Sequence, residues 1–561
     1  MFYKFKIIFL ILTFSVIGSS GFAANIYVDQ TLNQNITDGK YSIENRNNSG
    51  SDGNAYTTIQ AAVNAMNGGD DIYLRGGTYT FNNNSVLWPA GTDGTNDNWS
   101  SIQSLPGEWA ILDGENNLSN RSLLGYPGSG GAGPIRYWKF ERLEIKNAGN
   151  DEAYAAIFVN YGPIIVRYCY LHDNTCPRAG LNNAGAIKGS QLRDSIIEYN
   201  YFYNNGGIND NYGADIMIFS DYKNPEDVDI NNATRNNTIR YNYFVNSQQA
   251  IKYKSMQYLS LDHSGNHTAY KDYGDNIHHN IIVNAANEHV FNQDFIQVHH
   301  NIFDSCFDIR TVQGSSGVGA YRVFYQVYYN NSFLNTRFRV ARNYKGGEYA
   351  TDVRNYNVPN EYDNYHPHTY VYNNIIENVE GFSSDGAAEL TIFHSWSDHN
   401  YINYLDWNTM DVNYNLFYPD SQTDEVFRVG YGHEFSVNSL ESAGYATINY
   451  ATMNSGLHPT GNYKVNSLFG LGRNEATVNS GGKGGDHPYL ADIKIPSYLG
   501  VHDPQKDSAA NWNPTNPDPD DAGWIDYVLS LQRITSFQIN NGGSLPLPPP
   551  TWPSEPFTLN N

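Results

Sequence analysis

The sequence predicts an all-β chain wound as a single-stranded right-handed parallel β-helix (a β-solenoid) with an N-terminal capping helix. Three observations lead there: a recurring Asn signature, a composition suited to short strands and tight turns, and one short amphipathic segment near the start.

The signature is an aromatic residue or His (Asn in two copies), then Asn, any residue, and Phe, Ile or Leu. It occurs at Asn200, Asn242, Asn280, Asn301, Asn331, Asn374 and Asn415, and a variant, "YCYL", puts Cys169 at its head. Successive spacings are 31, 42, 38, 21, 30, 43 and 41 residues. Self-similarity at such spacings is the mark of a solenoid, and the shortest interval is one bare turn of it. The longer intervals hold a turn plus a loop, or two turns with one signature lost. Stacked coil upon coil, the Asn amides form an internal ladder, each satisfying its neighbours.

Composition agrees. There are 45 Tyr and 50 Gly, and only 16% of residues are charged. Gly and Asn disfavour helix interiors and suit turns, while Tyr suits strands. The net charge of −23 argues against a nucleic-acid partner, which selects basic faces. It leaves room for an acidic ligand met by a local basic patch or a divalent cation.

Taken in order, residues 1–24 carry early lysines, an apolar run and small residues, which read as a signal peptide. A secreted or periplasmic location is therefore expected. No later stretch is apolar for about 18 residues, so no membrane partner is expected. "AYTTIQAAVNAMNGGDDIYLRGGTYT" (55–80) reads as a short helix, a turn and a strand, and a helix there would cap the exposed first coil. Residues 25–480 form the solenoid, expected to be a monomer. Residues 481–561 turn Pro- and Asp-rich and read as a C-terminal cap and extended tail. Three cysteines are too few for a disulfide scaffold, and a Cys169–Cys176 bridge is the pairing left open.

The chemistry is expected on one face. After each signature comes a second short strand, and these align on Ile187, Ile216, Ile251, Val290, Ile309 and Phe338. With a two-residue period, the flanking residues face outward. One column then reads Ala186, Asp215, Ala250, His289, Asp308, Arg337, and the other Lys188, Met217, Lys252, Phe291, Arg310, Arg339. Lys254 sits two residues beyond Lys252. Parallel strands stack about 4.8 Å apart, so the columns make one basic stripe in an acidic protein. Any one of these residues alone reads as ordinary solvated strand surface; the cluster, beside the long segments 221–236 and 256–275, reads as a groove.

A basic groove on an exported solenoid suits an anionic polysaccharide, whose carboxylates pair with Arg. Breaking a uronic-acid chain by β-elimination needs neutralisation of the sugar carboxylate, a base for the C5 proton and a donor to the leaving oxygen. A lysine serves as base when a neighbouring cation lowers its pKa. The catalytic group is read as Lys254, Lys252, Arg310 and His289, and the substrate-binding group as Arg337, Arg339, Lys188 and Asp308. Asp215, Asp221, Glu226 and Asp227 are the candidate ligands for a calcium ion.

The opening "TIQAAVNA…GGDDIYLRGGTY" resembles that of the secreted right-handed β-helix carbohydrate-active proteins. "AIKYKS" (250–255) resembles the Ile-x-Val-Lys-Ser strand of family six polysaccharide lyases, the alginate lyases and chondroitinase B. That resemblance implies Lys254 as the base. The family's arginine on the next coil has no match in "EHVFNQD", leaving Arg310 a coil further, and its calcium-holding glutamates are replaced by Gln248 and Gln249. Lys252 after Ala-Ile equally resembles the Gly-Phe-Lys base strand of the calcium-using family nine pectate lyases.

Two readings of other kinds stand beside a lyase. A β-helix glycoside hydrolase needs two carboxylates about 5–10 Å apart. Asp215 and Asp308 lie three coils apart, roughly 14 Å by strand spacing, leaving pairs such as Glu288 with Asp308 or Asp272 with Asp275. A non-catalytic glycan-binding or adhesin solenoid would use the groove without a perturbed lysine. His278, His279, His299 and His300 are expected to pack, at least half of them inward, since paired His lack a zinc spacing.

Overall fold

The computed structural model describes residues 24–532, apart from 83–85, 87, 89, 119–121, 126–134, 149–154, 176–184, 207–212, 220–233, 258–272, 287, 294, 311–325, 341–368, 378–389, 393–409, 414, 419–424, 430–433, 437–494, 497–499 and 502–522. The segment expected to be a signal peptide, Cys176, Asp221, Glu226, Asp227 and Asp272 lie outside the described residues.

Three strands recur per coil, and each pairs in parallel with the strand at the same place in the next coil. Ile196–Glu198, Tyr201–Tyr203 and Ala214–Phe219 stack beneath Thr238–Arg240, Tyr243–Val245 and Ile251–Gln257. Repetition yields a 13-stranded sheet and two 11-stranded sheets. The chain is a parallel β-helix. Its core is filled by inward residue columns from all three sheets, among them the stacked Phe202 and Phe244 (ring centroids 4.7 Å apart) and Phe303 and Phe333 (5.1 Å).

The Asn signature forms one buried ladder. Asn200, Asn242, Asn280, Asn301, Asn331, Asn374 and Asn415 are all fully buried. Each side-chain carbonyl accepts from the backbone N–H of the residue one coil before, at 2.9–3.1 Å, beginning with Cys169. Each amide nitrogen from Asn200 to Asn374 donates to the next amide oxygen and to a core carbonyl; Asn242, for example, donates to Asn280 Oδ1 at 3.0 Å and Ile197 O at 2.8 Å. Tyr168, Tyr199, Tyr241, His279, His300, Asn330 and Asn373, which precede the ladder, adopt φ between 51° and 55°. This left-handed backbone is costly for a side-chain-bearing residue, and the amide bonds on the following residue hold it in place. Cys169 is a free buried thiol in this column. The Cys169–Cys176 bridge is thus corrected: the cysteine takes a ladder position, where burial pushes its thiol up to about 12.

The capping helix is present at Ile59–Ala65. Thr58 is its N-cap, its hydroxyl accepting from Ala61 N–H at 3.2 Å. Ile59, Ala62 and Val63 are buried and join Ile26, Val28 and Ile72 of the first coil in the core.

Beyond residue 480, the described residues lie along the flank. Asn373 donates through Nδ2 to Pro496 O at 2.7 Å, and Gly500 N–H donates to Asn373 O at 3.0 Å. A second helix, Gly523–Ser530, then covers the left-handed turns of earlier coils. Trp524 lies 5.1 Å from the His279 ring and 6.4 Å from Tyr241, and Tyr527 lies 5.6 Å from Tyr199. These contacts seal a second apolar cluster outside the solenoid.

Candidate functional site

The third sheet carries the strands Gly185–Ser190, Ala214–Phe219, Ile251–Gln257, Glu288–Gln293, Asp308–Arg310 and Arg337–Val340. Hydrogen-bonded register stacks Lys188 on Met217 and Met217 on Lys252, with Val290, Arg310 and Arg339 continuing the column. By strand spacing Lys252 is about 10 Å from both Lys188 and Arg310. One column of the sheet thus gathers four cationic residues. Lys254 pairs with Phe219 on the coil before, so on that side the two lysines keep the same-face parity.

Above Lys254 the ladder breaks. Tyr253 pairs with Phe291, but the next pair is Gln257 with Gln293, four residues on one strand against two on the other. Such a bulge re-aims the residues it contains, and bulges gather at active sites. Lys254 stands in it.

Lys188 lies over two aromatic faces, with Nζ 5.5 Å from the Phe158 ring centroid and 5.1 Å from that of Phe219. The rings themselves stack at 6.2 Å. Lys252 is 1% exposed. The expectation that this column stands in solvent is therefore corrected: Lys188 and Lys252 are covered. Arg337 is buried too, its guanidinium 5.0 Å from the Phe307 ring, and Asp308 is buried in register with it.

Two outward expectations are overturned by the register. His289, not Val290, occupies the central inward position: it pairs with Ile309, and Phe291 pairs with the inward Tyr253. His289 and Phe291 are fully buried. The His289 Nε2 accepts from Ala250 N–H at 2.9 Å, which places its proton on Nδ1. Burial lowers its pKa to about 4, so the ring is neutral. Asp215 turns into the corner between two sheets, where its Oδ1 accepts from Asn205 Nδ2 at 2.7 Å. Burial pushes its carboxyl up to about 8, only partly offset by Ser247 and Asn205. A protonated acid facing the interior does not fit a calcium ligand on the groove. Of the carboxylate pairs left open, Glu288 and Asp308 are direct register neighbours.

Sequence reasoning missed the layer beneath the lysines. Tyr253, between Lys252 and Lys254, points into the core and is fully buried. Its hydroxyl donates to Asp275 Oδ2 at 2.6 Å, and Asp275 also accepts from the Asn237 backbone N–H at 2.8 Å. Burial pushes the Asp275 carboxyl up to about 7, against the pull of those bonds. Phe158 and Phe219 were missed as well. Extending the alignment two residues further along the strands would have put Phe219 in the Lys254 column.

The paired histidines are also placed differently from expectation. None points inward. His278 stacks on His299 (4.9 Å) and His279 on His300 (4.8 Å), outside the core and beside Trp524.

No family model matches the chain, and no curated protein matches it. Solved structures do. A mannuronic-acid-specific polysaccharide family 6 lyase from human gut microbiota is similar at 14% identity and a TM-score of 0.40, over 66% of this chain and 73% of that one. The pectate lyase Pel9A is similar at 13% identity and 0.31, over 63% and 76%. XylC in complex with xylose is similar at 12% identity and 0.37, over 73% and 86%. The fold rests on the three strand ladders, and these likenesses assign no chemistry.

Proposed function

We propose that this chain is an exported polysaccharide lyase that cleaves a uronic-acid-containing polymer by β-elimination. The observation that carries the reading is the cationic column of Lys188, Lys252, Arg310 and Arg339, with Lys252 desolvated in a protein of net charge −23.

Lys254, in the bulge, takes the C5 proton. Lys252 favours the neutral amine of Lys254 by like-charge repulsion, which is strong where water is excluded. Arg310 pairs with the substrate carboxylate, and Lys188, Arg337 and Arg339 extend the basic surface along the chain. With Asp215 inside, a calcium site rests on Asp221, Glu226 and Asp227.

A second reading is favoured by one observation: Glu288 and Asp308 are register neighbours on adjacent strands, one strand step of about 4.8 Å apart along the backbone. That is near the separation in retaining glycosidases. A panel of alginate, pectate, glycosaminoglycans and sulfated algal glycans separates the two. A lyase leaves a 4,5-unsaturated uronide with strong ultraviolet absorbance, whereas a hydrolase releases reducing ends without it. Binding with neither product would leave a glycan-binding solenoid.

A further inference from the structure

We propose that the imidazoles of His279, His299 and His300, with His278 turning in as the fourth ligand, form a binding site for one divalent transition-metal ion of the zinc class. The site lies on the flank opposite in role to the lysine column and is independent of the lyase reading.

The arrangement is built by the solenoid. His279 and His300 occupy the left-handed turn position of two successive coils, with φ of 55° and 54°. Their rings stack at 4.8 Å with an interplanar angle of 2°. His278 and His299 hold the preceding strand position in register and stack at 4.9 Å and 1°. Within each coil the two rings are nearly perpendicular, and their Nδ1 atoms approach to 2.7 Å. Ring nitrogens of His279, His299 and His300 therefore converge between two coils, with His278 Nδ1 2.7 Å from that of His279. Ligand nitrogens of His279, His299 and His300 all lie within 4.8 Å of one another.

Packing does not require this residue choice. In the turn position the preceding coils use Tyr168, Tyr199 and Tyr241, which stack at 5.2 Å along the same flank. In the strand position the following coil uses Tyr329, stacked on His299 at 4.6 Å. Only the two adjacent coils carry His in both columns at once, among the described residues. Imidazole is a ligand for zinc, copper and nickel. Zinc holds nitrogen at about 2.0–2.1 Å, so tetrahedral ligand atoms stand about 3.4 Å apart. The three nitrogens now within 4.8 Å must draw together to reach that, and His278 must turn toward them.

The protonation balance is simple. A 2.7 Å contact between two Nδ1 atoms requires one to donate and the other to accept. When both bind a metal, that proton moves to Nε2 of the same ring, and all four ligands stay neutral. The nearest cation in the column, Arg240, is paired with Glu198 at 2.8 Å. Trp524 closes the site above His279, while His278 and His299 are only partly buried and open it to entry. With no open coordination position, the ion would be structural: it would staple two coils beneath the C-terminal helix.

The test uses the full chain after dialysis against chelator, titrated with Co²⁺ and then Zn²⁺. The expected result is one equivalent of Co²⁺ giving visible ligand-field bands of tetrahedral strength, displaced by Zn²⁺, with a zinc-dependent rise in Tm. His299→Gln and His300→Ala should each weaken binding at least tenfold and lose the bands. Cu²⁺ should quench part of the tryptophan fluorescence, a part missing in Trp524→Phe. Absence of bands in the unmodified chain overturns the site, as do bands that persist in both variants. Should His300→Ala fail to fold by circular dichroism, the half-buried His299→Gln decides.

Discussion

The Tyr253 hydroxyl donates to Asp275 Oδ2 at 2.6 Å, directly under the strand that carries Lys252 and Lys254. A buried acid thereby sits beneath the candidate base. Its folded pKa of about 7 lies above the ordinary 3.8, because burial favours the neutral form. The stabilising contribution is full below the unfolded value and is lost as pH rises through about 7. Asp215, at about 8, behaves the same way over a wider window. Asp275→Asn and Asp215→Asn should therefore flatten the fall in Tm between about pH 4 and pH 8, measured by thermal unfolding. An unchanged slope in both would show that these acids are ionised in the fold.

His289 has the opposite sign. Its folded pKa of about 4 lies below the ordinary 6.5, so its contribution is full above the unfolded value. It is lost as pH falls from there toward the folded one. His289→Gln, which keeps an acceptor for Ala250 N–H, should reduce the loss of denaturant midpoint between pH 7 and pH 5. His289→Ile strands that N–H and should cost about 1–3 kcal/mol at neutral pH.

Asn242→Ala removes the acceptor for both the backbone and side-chain N–H of Asn200, and the donor to Ile197 O. Stranding three buried polar groups should cost about 3 kcal/mol or more in chemical denaturation. A cost below 1 kcal/mol would mean that water replaces the amide in the ladder.

Lys254→Ala should lower kcat by about 10²–10⁴ on whichever polymer is cleaved, the usual weight of a positioned base. Lys252→Met, matching Met217 in the same column one coil before, preserves packing. It should move the midpoint of the pH–kcat profile upward, since removing a cation raises the pKa of the neighbouring amine. Turnover retained in Lys254→Ala but abolished in Lys252→Met would transfer the base to Lys252.

Chelation should abolish cleavage, with calcium restoring it, if Asp221, Glu226 and Asp227 hold an ion. Full activity in chelator would place carboxylate neutralisation on Arg310 and Arg339 alone.

The solenoid was legible because its ladder needs a side chain that donates and accepts at once, and only an amide repeated at coil spacing does so at every level. The lysine column was legible for a similar reason: a two-residue period fixes which of Lys188, Lys252, Arg310 and Arg339 share a face. His289 was not. Hydrophobicity alone selects Val290 for the core, and the deciding partner, the Ala250 N–H, is visible only once the coils are stacked. Asp215 misleads in the same way, since a carboxylate in an alternating run reads as outward until a corner amide claims it. "GWIDYVLS" lies in a Pro- and Asp-rich stretch whose composition conceals a helix, and nothing in that stretch names the tyrosines it covers.

The flank helix carries a kinetic consequence. In a solenoid each coil touches only its neighbours, so ends fray and partial structures persist. Here Pro496 and Gly500 contact the coil of Asn373, whereas Trp524 and Tyr527, later in the chain, contact Tyr241 and Tyr199 of earlier coils. They tie together coils that otherwise share no contact. Such long-range closure is slow to form and comes last. The early coils must therefore wait, their Tyr and His stacks exposed, until a segment hundreds of residues downstream has been made and delivered. A chain interrupted before Trp524 would present an uncovered aromatic flank, and that is the species a quality-control protease would meet.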